Sequence, residues 1–114
     1  LFRSIAYIPV VSLDREGAEK TVDGFLGKCP VVECCFEKVT PKVLQLMQKI
    51  ADHGSRVWVN TMWASLNGGH DDVTAYKENN FKDTWEWLVQ AGANVLQTDY
   101  SPQMVTYLTQ HGMR

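Results

Sequence analysis

The chain has 114 residues, of which 45% are hydrophobic and 21% charged, and its 11 basic and 13 acidic residues give a net charge of −2. This length and composition predict one globular domain over residues 1–114. The balanced charge, without a Lys/Arg cluster, argues against a nucleic-acid partner. No apolar run approaches the ~20 residues that a membrane-spanning helix needs.

The cysteines are three in number, Cys29, Cys34 and Cys35. Their spacing is neither that of a zinc ribbon nor that of a disulfide framework, so we expect buried free thiols. They leave the cellular compartment open. The chain does not begin with Met, so we expect it to be a piece of a longer protein.

The first strand–helix unit is predicted over residues 4–27. Residues 4–11 are mostly apolar and rich in Ile and Val, which indicates a buried strand. Asp14 is a suitable N-cap for the helix that follows, and apolar residues recur at helical spacing over 15–27. We therefore predict a strand followed by one amphipathic helix.

The second unit has a strand at 31–36, interrupted only by Glu33. Thr40 and Pro41 form a strong helix start, with Thr as N-cap and Pro at the first helical position, where its missing N–H costs nothing. Gly54 is the expected end of this helix.

The third unit begins with the stretch RVWVNTMWASLNGGHDD at 56–72. Its first part, 57–62, has the composition of a strand buried on both faces, and a polar loop with two glycines follows. In α/β folds such a loop lies at the carboxyl end of a strand, where ligands bind. A helix is predicted over 81–91, with Asn80 as its cap and Gly92 as its end.

The fourth unit has a strand at 94–99, then Ser101 and Pro102 as cap and first helical residue, and Gly112 as the helix end. Four consecutive βα units predict an α/β fold with a parallel sheet and right-handed crossovers. Such a sheet is either an open α/β layer or half of a TIM-barrel-like (βα)8 fold.

Residues 56–114 resemble the carboxyl-terminal part of glycerophosphodiester phosphodiesterases. The segment AGANVLQTDYSP is similar to a Gly-x-(apolar)-x-Thr-Asp-x-Pro pattern of that family, with one extra residue, Ser101, before Pro102. The segment NTMW stands at the family's Trp-Thr-x-Asn pattern, so that Asn60 takes the place of the usual Trp. The loop SLNGGHDD looks like the variant of one subfamily. Residues 1–55 fit only as earlier strand–helix units.

The resemblance implies a (βα)8-barrel enzyme of lipid metabolism that hydrolyses glycerophosphodiesters to an alcohol and glycerol phosphate. It implies a divalent cation, Mg²⁺ or Ca²⁺, in the complete enzyme. The family's catalytic His-Arg-Gly and Glu-x-Asp motifs are absent from this sequence. We therefore expect a C-terminal half-barrel without catalytic residues of its own, inactive in isolation. The alternative is a non-catalytic half-barrel module that binds a ligand or a protein partner.

Four residues are candidates for contacts with a glycerophosphodiester-type ligand. Asp99 either orients a polar group in a site or caps the turn that follows it. Asn60 is polar within an apolar strand and makes either a ligand contact or a structural hydrogen bond. Trp63 packs either against the apolar part of a substrate or, as a large aromatic residue usually does, in the core or at the rim. Glu33 is either a barrel-facing carboxylate with a raised pKa or the partner of Arg56 or Lys38 in a salt bridge.

His70, Asp71 and Asp72 are adjacent, so their side chains diverge. Their oxygen atoms suit Mg²⁺ or Ca²⁺, but we favour a solvated loop with a helix-capping Asp. A half-barrel also leaves two strand edges open. Because open edges pair readily, we expect a homodimer.

Overall fold

A computed structural model describes residues 5–114 of the chain as four strands and five helices, with one helix after each strand except the third, which is followed by two. The strands are β1 (Val10–Ser12), β2 (Val31–Cys35), β3 (Arg56–Asn60) and β4 (Val95–Gln97). The helices are α1 (Ala18–Phe25), α2 (Pro41–Asp52), α3 (Asp72–Lys77), α4 (Trp87–Gln90) and α5 (Ser101–Gln110). A 3₁₀ turn (Ala64–Leu66) precedes α3, and a π-helical turn (Lys82–Glu86) runs into α4.

The four strands form one parallel sheet in the order β1-β2-β3-β4. The predicted α/β fold with a parallel four-stranded sheet is therefore confirmed. Because crossovers between parallel strands are right-handed, a sheet that grows in one direction carries its helices on one face.

One face of the sheet carries the main hydrophobic core. Alternate strand residues, among them Val11, Cys34 and Val57, are buried against apolar side chains of the helices. The helical side of this core is formed by Ala18, Val22, Val43, Leu46, Met47, Ile50 and Leu88. A second, smaller cluster of Ala75, Trp85, Met104 and Leu108 lies beneath α5 and meets the first at Leu96.

The other face of the sheet, which we call the open face, belongs to neither of these clusters. Strand residues alternate between faces, and the register places Val10, Glu33, Trp58 and Val95 in one row on this side. Val10 is 63% exposed. The open face is therefore the surface on which the sheet presents polar and partly exposed side chains.

The second unit forms as predicted. The Thr40 hydroxyl accepts a hydrogen bond from the Val43 N–H (3.2 Å), and Pro41 begins α2. After the helix, Gly54 adopts a φ of 88°, a left-handed conformation that favours glycine. All three cysteines are free thiols as expected; Cys34 and Cys35 are buried, whereas Cys29 is only partly buried.

The first unit is shorter than predicted. Of the strand predicted over 4–11, residue 4 lies outside the described residues, and β1 begins only at Val10. Helix α1 begins at Ala18 instead of 15, with Gly17 at a φ of 80° as its cap. Asp14 does not cap it, because its carboxylate accepts the N–H groups of Glu37 (2.7 Å) and Lys38 (3.2 Å) instead.

The helix predicted over 81–91 is π-helical in its first part and α-helical only from Trp87. Asn80 does cap it, accepting the Asp83 N–H (3.2 Å). Two side chains bond to backbone carbonyl groups in this segment. The Thr84 hydroxyl donates to the Asn80 carbonyl (2.6 Å), and the His70 ring contacts the Asp83 carbonyl (2.5 Å). These side-chain contacts accompany the π-helical geometry of the first turn.

The last unit also departs from the prediction in detail. Strand β4 covers only Val95–Gln97, and α5 already includes Ser101. Tyr100 holds the cap position, and its N–H donates to the Thr98 hydroxyl (3.0 Å). Within residues 5–114, no helix is long and apolar enough to cross a membrane.

Candidate ligand-binding rim

The carboxyl ends of the four strands carry a row of polar side chains on the open face. Ser12 pairs in register with Cys35, and Asn60 pairs with Gln97. Continuing the β2–β3 register by two residues places Cys35 beside Asn60. Ligands of α/β proteins bind at this end of the sheet, so we call it the rim.

Asn60 lies in this row and is buried. Its side-chain oxygen accepts the Met62 N–H (2.9 Å), and its own carbonyl accepts from the Asn67 amide (3.0 Å). The structural hydrogen bond expected for a buried Asn is therefore present. Its side-chain N–H groups make no hydrogen bond to any residue from 5 to 114 and are available to a ligand.

Trp63 follows β3 and is 58% exposed, so it does not pack in the core. Its carbonyl accepts hydrogen bonds from the Leu66 N–H and the Asn67 side chain, both at 3.0 Å. The backbone of Trp63 is thus held in place while its indole is accessible at the rim.

Glu33 lies one row below the polar row, on the same face as Asn60. Burial raises the pKa of its carboxyl group above the ordinary value of 4.5. It forms no salt bridge with Arg56 or Lys38, since the single ion pair found in the described part of the chain joins Lys49 to Asp23. Burial therefore gives Glu33 a raised pKa, and Glu33 forms no salt bridge with Arg56 or Lys38 in the described part of the chain.

Trp58 is the neighbour of Glu33 in the same row. Its indole N–H is buried and has no hydrogen-bond partner among residues 5–114. Buried polar groups in folded proteins nearly always have a partner. The open face therefore contains a buried N–H donor, that of Trp58, without an acceptor among the described residues.

Asp99 follows β4 and is exposed. Its side chain forms no hydrogen bond to a residue in the range 5–114, so it does not cap the turn that follows, and it is the Thr98 hydroxyl that accepts the Tyr100 N–H. The Asp99 backbone N–H donates to the carboxylate of Asp72 (3.0 Å). The position of Asp99 at the rim is thus set through Asp72.

Asp72 is only 2% exposed and lies at the centre of a buried hydrogen-bond network. Its carboxylate accepts from the hydroxyls of Thr61 (2.5 Å) and Thr98 (2.8 Å) and from the Trp85 indole N–H (2.8 Å), in addition to the Asp99 N–H. We call these groups the Asp72 network. It joins the ends of β3 and β4 to α3 and to the π-helical turn.

The sequence did not point to this role. Asp72 stands beside Asp71, which caps α3 by accepting the N–H groups of Val73 (3.0 Å) and Thr74 (3.4 Å). The expected helix-capping Asp is therefore present, but the loop is not solvated at Asp72. Because Asp71 and Asp72 are adjacent and chemically identical, the sequence does not indicate which of them caps α3 and which is the buried acceptor.

His70 points away from both aspartates. Its ring stacks on Trp87 with a centroid distance of 3.7 Å and an interplanar angle of 5°, and its Nδ1 lies 2.5 Å from the Asp83 carbonyl. A ring nitrogen that donates to a carbonyl leaves the other one as the acceptor in the neutral form. The three residues therefore do not converge.

The segment after β3 also reaches the end of β2. Phe36 and Asn67 form a parallel bridge, the Phe36 N–H donates to Leu66, and the Gly68 N–H donates to Phe36 (2.8 Å). The side chain of Asn67 is fully buried at this contact. The loop that was predicted as polar and irregular therefore spans the rim from β2 to β4.

A cavity of about 450 Å³, which we call the β1–β2 cavity, opens at the other side of the rim. Its charged lining consists of Asp14, Arg15, Glu37 and Lys38. The hydroxyls of Ser12, Thr40 and Ser65 and the floor residues Cys35, Phe36 and Leu66 complete it. The sequence gives no sign of this cavity, because its lining comes from three separate segments, at 12–15, 35–40 and 65–66.

The Cys35 thiol at the floor of the cavity is not a nucleophile at neutral pH. Burial, and then the negative charges of Glu33 and Asp14, raise its pKa to about 11. Burial raises the pKa of the neighbouring Cys34 to about 12. Since the thiolate is the reactive form, both thiols are inert here.

The described residues do not fit a divalent cation on their own. Within residues 5–114, no three His, Cys, Asp or Glu side chains come together as a possible cation site. Both oxygens of Asp72 already accept hydrogen bonds, so that carboxylate is occupied. The rim therefore offers polar contacts and a cavity, without a set of metal ligands.

Residues 7–108 match the family model of DUF4996, which is described as a domain of unknown function. The chain belongs to the DUF4996 family. This match covers the whole sheet and the rim of the DUF4996 domain, from before β1 into α5. A search of curated proteins found no match.

Proposed function

We propose that this DUF4996 domain is the C-terminal half of a glycerophosphodiester phosphodiesterase-like (βα)8 barrel, in which it supplies a wall for substrate binding. The catalytic groups and the divalent cation, Mg²⁺ or Ca²⁺, belong in this proposal to another part of the barrel. The chain by itself is then inactive.

The observation that carries the proposal is the sequential parallel order β1-β2-β3-β4 with the helical core on one face only. In a (βα)8 barrel the helices form an outer ring, and inward side chains from alternate strands form layers inside. The proposal takes the open face of this sheet as the inward face. The unpartnered Trp58 N–H is consistent with a face that other inward side chains cover.

The rim supports the substrate-binding role. Asn60, Trp63 and Asp99 lie at or just beyond the carboxyl ends of β3 and β4, and Glu33 lies on the same face one row below Asn60. Barrel enzymes place their sites at this end. The proposal assigns these four residues to contacts with a glycerophosphodiester.

The test is a calorimetric titration of the chain with glycerophosphoglycerol, together with a hydrolysis assay with and without Mg²⁺ or Ca²⁺. We expect binding without cleavage, and at least ~10-fold weaker binding for Asp99→Ala, a loss of about 1.4 kcal/mol. Asp52→Ala is the matched control, because Asp52 ends α2 at the opposite end of the sheet. Absence of binding contradicts the proposal, and cleavage by the chain alone contradicts its inactivity.

A second candidate, a non-catalytic module completed by a second copy, is favoured by the open edges of β1 and β4. A twofold axis along the barrel would pair β4 of each copy with β1 of the other, and so form eight strands. Analytical ultracentrifugation tests this homodimer. We expect dimers that Val10→Lys disrupts, since Val10 is exposed on the open face. A monomer at high concentration excludes this candidate.

A further inference from the structure

We propose that the β1–β2 cavity binds a small zwitterionic molecule that carries one anionic group and one primary ammonium group. Within the proposed function, on which this step rests, the ligand is a glycerophosphodiester with an ethanolamine-type head group. The cavity would then distinguish head groups, while the β3–β4 side of the rim holds the rest of the ligand.

The size and place of the cavity support a ligand site. Its volume of about 450 Å³ lies within the range of about 300–1,000 Å³ that is usual for small-molecule sites. It opens beside Ser12 and Cys35, which are the carboxyl-terminal residues of β1 and β2. This is the end of a parallel sheet at which ligands bind.

The charges of the cavity are balanced and unpaired. Arg15 and Lys38 bring two positive charges, and Asp14 and Glu37 bring two negative ones. None of the four forms a salt bridge in the described part of the chain, where the ion pair found lies elsewhere, between Lys49 and Asp23. A ligand with one group of each sign matches both sets, whereas a purely anionic ligand leaves the carboxylates without a partner.

Asp14 is fixed in place before a ligand arrives. One of its carboxylate oxygens accepts the backbone N–H groups of Glu37 and Lys38, and the other has no hydrogen bond to a residue in the range 5–114. Because Asp14 also lines the cavity, we assign this free oxygen as the acceptor for the ligand. A primary ammonium group donates such bonds.

A quaternary ammonium group fits less well. Proteins bind such groups mainly against exposed aromatic faces. Phe36 is the aromatic residue of the cavity lining, and it is only 1% exposed. The lining therefore favours an ammonium group that donates hydrogen bonds over a methylated one.

The experiment compares three diesters that share the glycerol phosphate part: glycerophosphoethanolamine, glycerophosphocholine and glycerophosphoglycerol. Calorimetry on the folded chain should show glycerophosphoethanolamine binding at least ~10-fold more tightly than the other two. Amide shifts in an NMR titration should include Glu37 and Lys38. Equal affinities overturn this inference and leave the proposed function intact, whereas failure of all three to bind overturns both.

Two variants test whether the preference for glycerophosphoethanolamine arises in the β1–β2 cavity. Glu37→Gln should reduce the preference for glycerophosphoethanolamine at least ~5-fold, because it removes one of the two negative charges that line the cavity beside the ammonium group. Its backbone N–H, which bonds to Asp14, is unchanged, so the fold is retained. Glu78→Gln, an equally exposed change after α3, should leave the preference as it was. A preference that survives in Glu37→Gln overturns the assignment to this cavity.

Discussion

The two sides of the rim differ in how their side chains are bonded. At the ends of β3 and β4, the Asp72 carboxylate is buried and accepts hydrogen bonds from three side chains and one backbone N–H. At the ends of β1 and β2, four charged side chains surround an open cavity and have no ion pairs in the described structure. The β3–β4 side is held by a buried hydrogen-bond network beneath its exposed side chains, whereas the charged side chains of the β1–β2 side form no ion pairs with one another.

Because of this difference, the β3–β4 side of the rim is held rigidly, whereas the β1–β2 side can adapt to a ligand. A buried carboxylate is stable only while its donors remain in place, so the Asp72 network holds β3, β4 and α3 in one arrangement. The β1–β2 side is held by backbone contacts, such as those of Asp14 with Glu37 and Lys38. A ligand can enter there without breaking a buried network.

The largest expected effect comes from removing the Asp72 carboxylate. Asp72→Ala leaves up to four donors without an acceptor, at about 1–3 kcal/mol for each one that stays buried. We expect the free energy of unfolding to fall by at least about 3 kcal/mol in urea denaturation.

The neighbouring Asp71→Ala is the control for this substitution. It removes only the cap of α3 and should cost about 1 kcal/mol. Asp72→Asn, which keeps the shape but has one acceptor oxygen fewer, should fall between the two. Equal losses for Asp71→Ala and Asp72→Ala would show that the network does not hold this side of the rim.

The second prediction concerns Gly68, where the two sides of the rim meet. Its φ is 65°, and an added Cβ would lie 2.8 Å from Val39 Cγ2. Gly68→Ala should therefore cost strain and a clash, together about 2–4 kcal/mol. The measurement is again urea denaturation.

Gly69→Ala separates strain from the clash. Gly69 also has a positive φ, of 87°, but an added Cβ would meet no atom within 4 Å. We expect it to cost about 1–2 kcal/mol, the strain alone. If both variants lose the same stability, the contact between Gly68 and Val39 does not constrain the rim.

A smaller effect is expected where the β1–β2 side is tied by Asp14. Asp14→Ala removes the acceptor for two backbone N–H groups, so hydrogen exchange at Glu37 and Lys38 should speed up at least ~10-fold, about 1.4 kcal/mol of local stability. The amide of Trp58, in the centre of the sheet, should not change. Glu16→Ala is the exposed control, and an equal effect there contradicts the role of Asp14.

Local rules were sufficient to predict much of this fold. The Thr40–Pro41 start of α2, its end at Gly54 and the parallel arrangement of four units depend on a few adjacent residues and on the usual handedness of crossovers. These rules act over one or two turns of helix. The second unit, which satisfies them most completely, was accordingly predicted best.

The Asp72 network and the β1–β2 cavity could not be predicted in this way. Asp72 meets Thr98 across 26 residues, and Asp14 meets Glu37 across 23. Such contacts follow from the order of the strands and from the path of the loop between β3 and α4. Asp14 illustrates the limit: its sequence position suggests a helix cap, but the end of β2 offers its carboxylate two better donors.

The smallest expected effect concerns Glu33 on the open face. Burial raises the pKa of this carboxyl group above 4.5, so the folded chain holds its proton to a higher pH than the unfolded chain does. The contribution of Glu33 to stability is therefore present below about pH 4.5 and is lost as the pH rises through its native pKa. Glu33→Gln should be more stable than the natural chain at pH 7.5, by up to about 0.5 kcal/mol, with the advantage fading towards pH 4. Urea denaturation at both values measures this, with Glu78→Gln as the exposed control. An advantage that does not depend on pH would mean that the open face around Glu33 is as well hydrated as the rest of the surface.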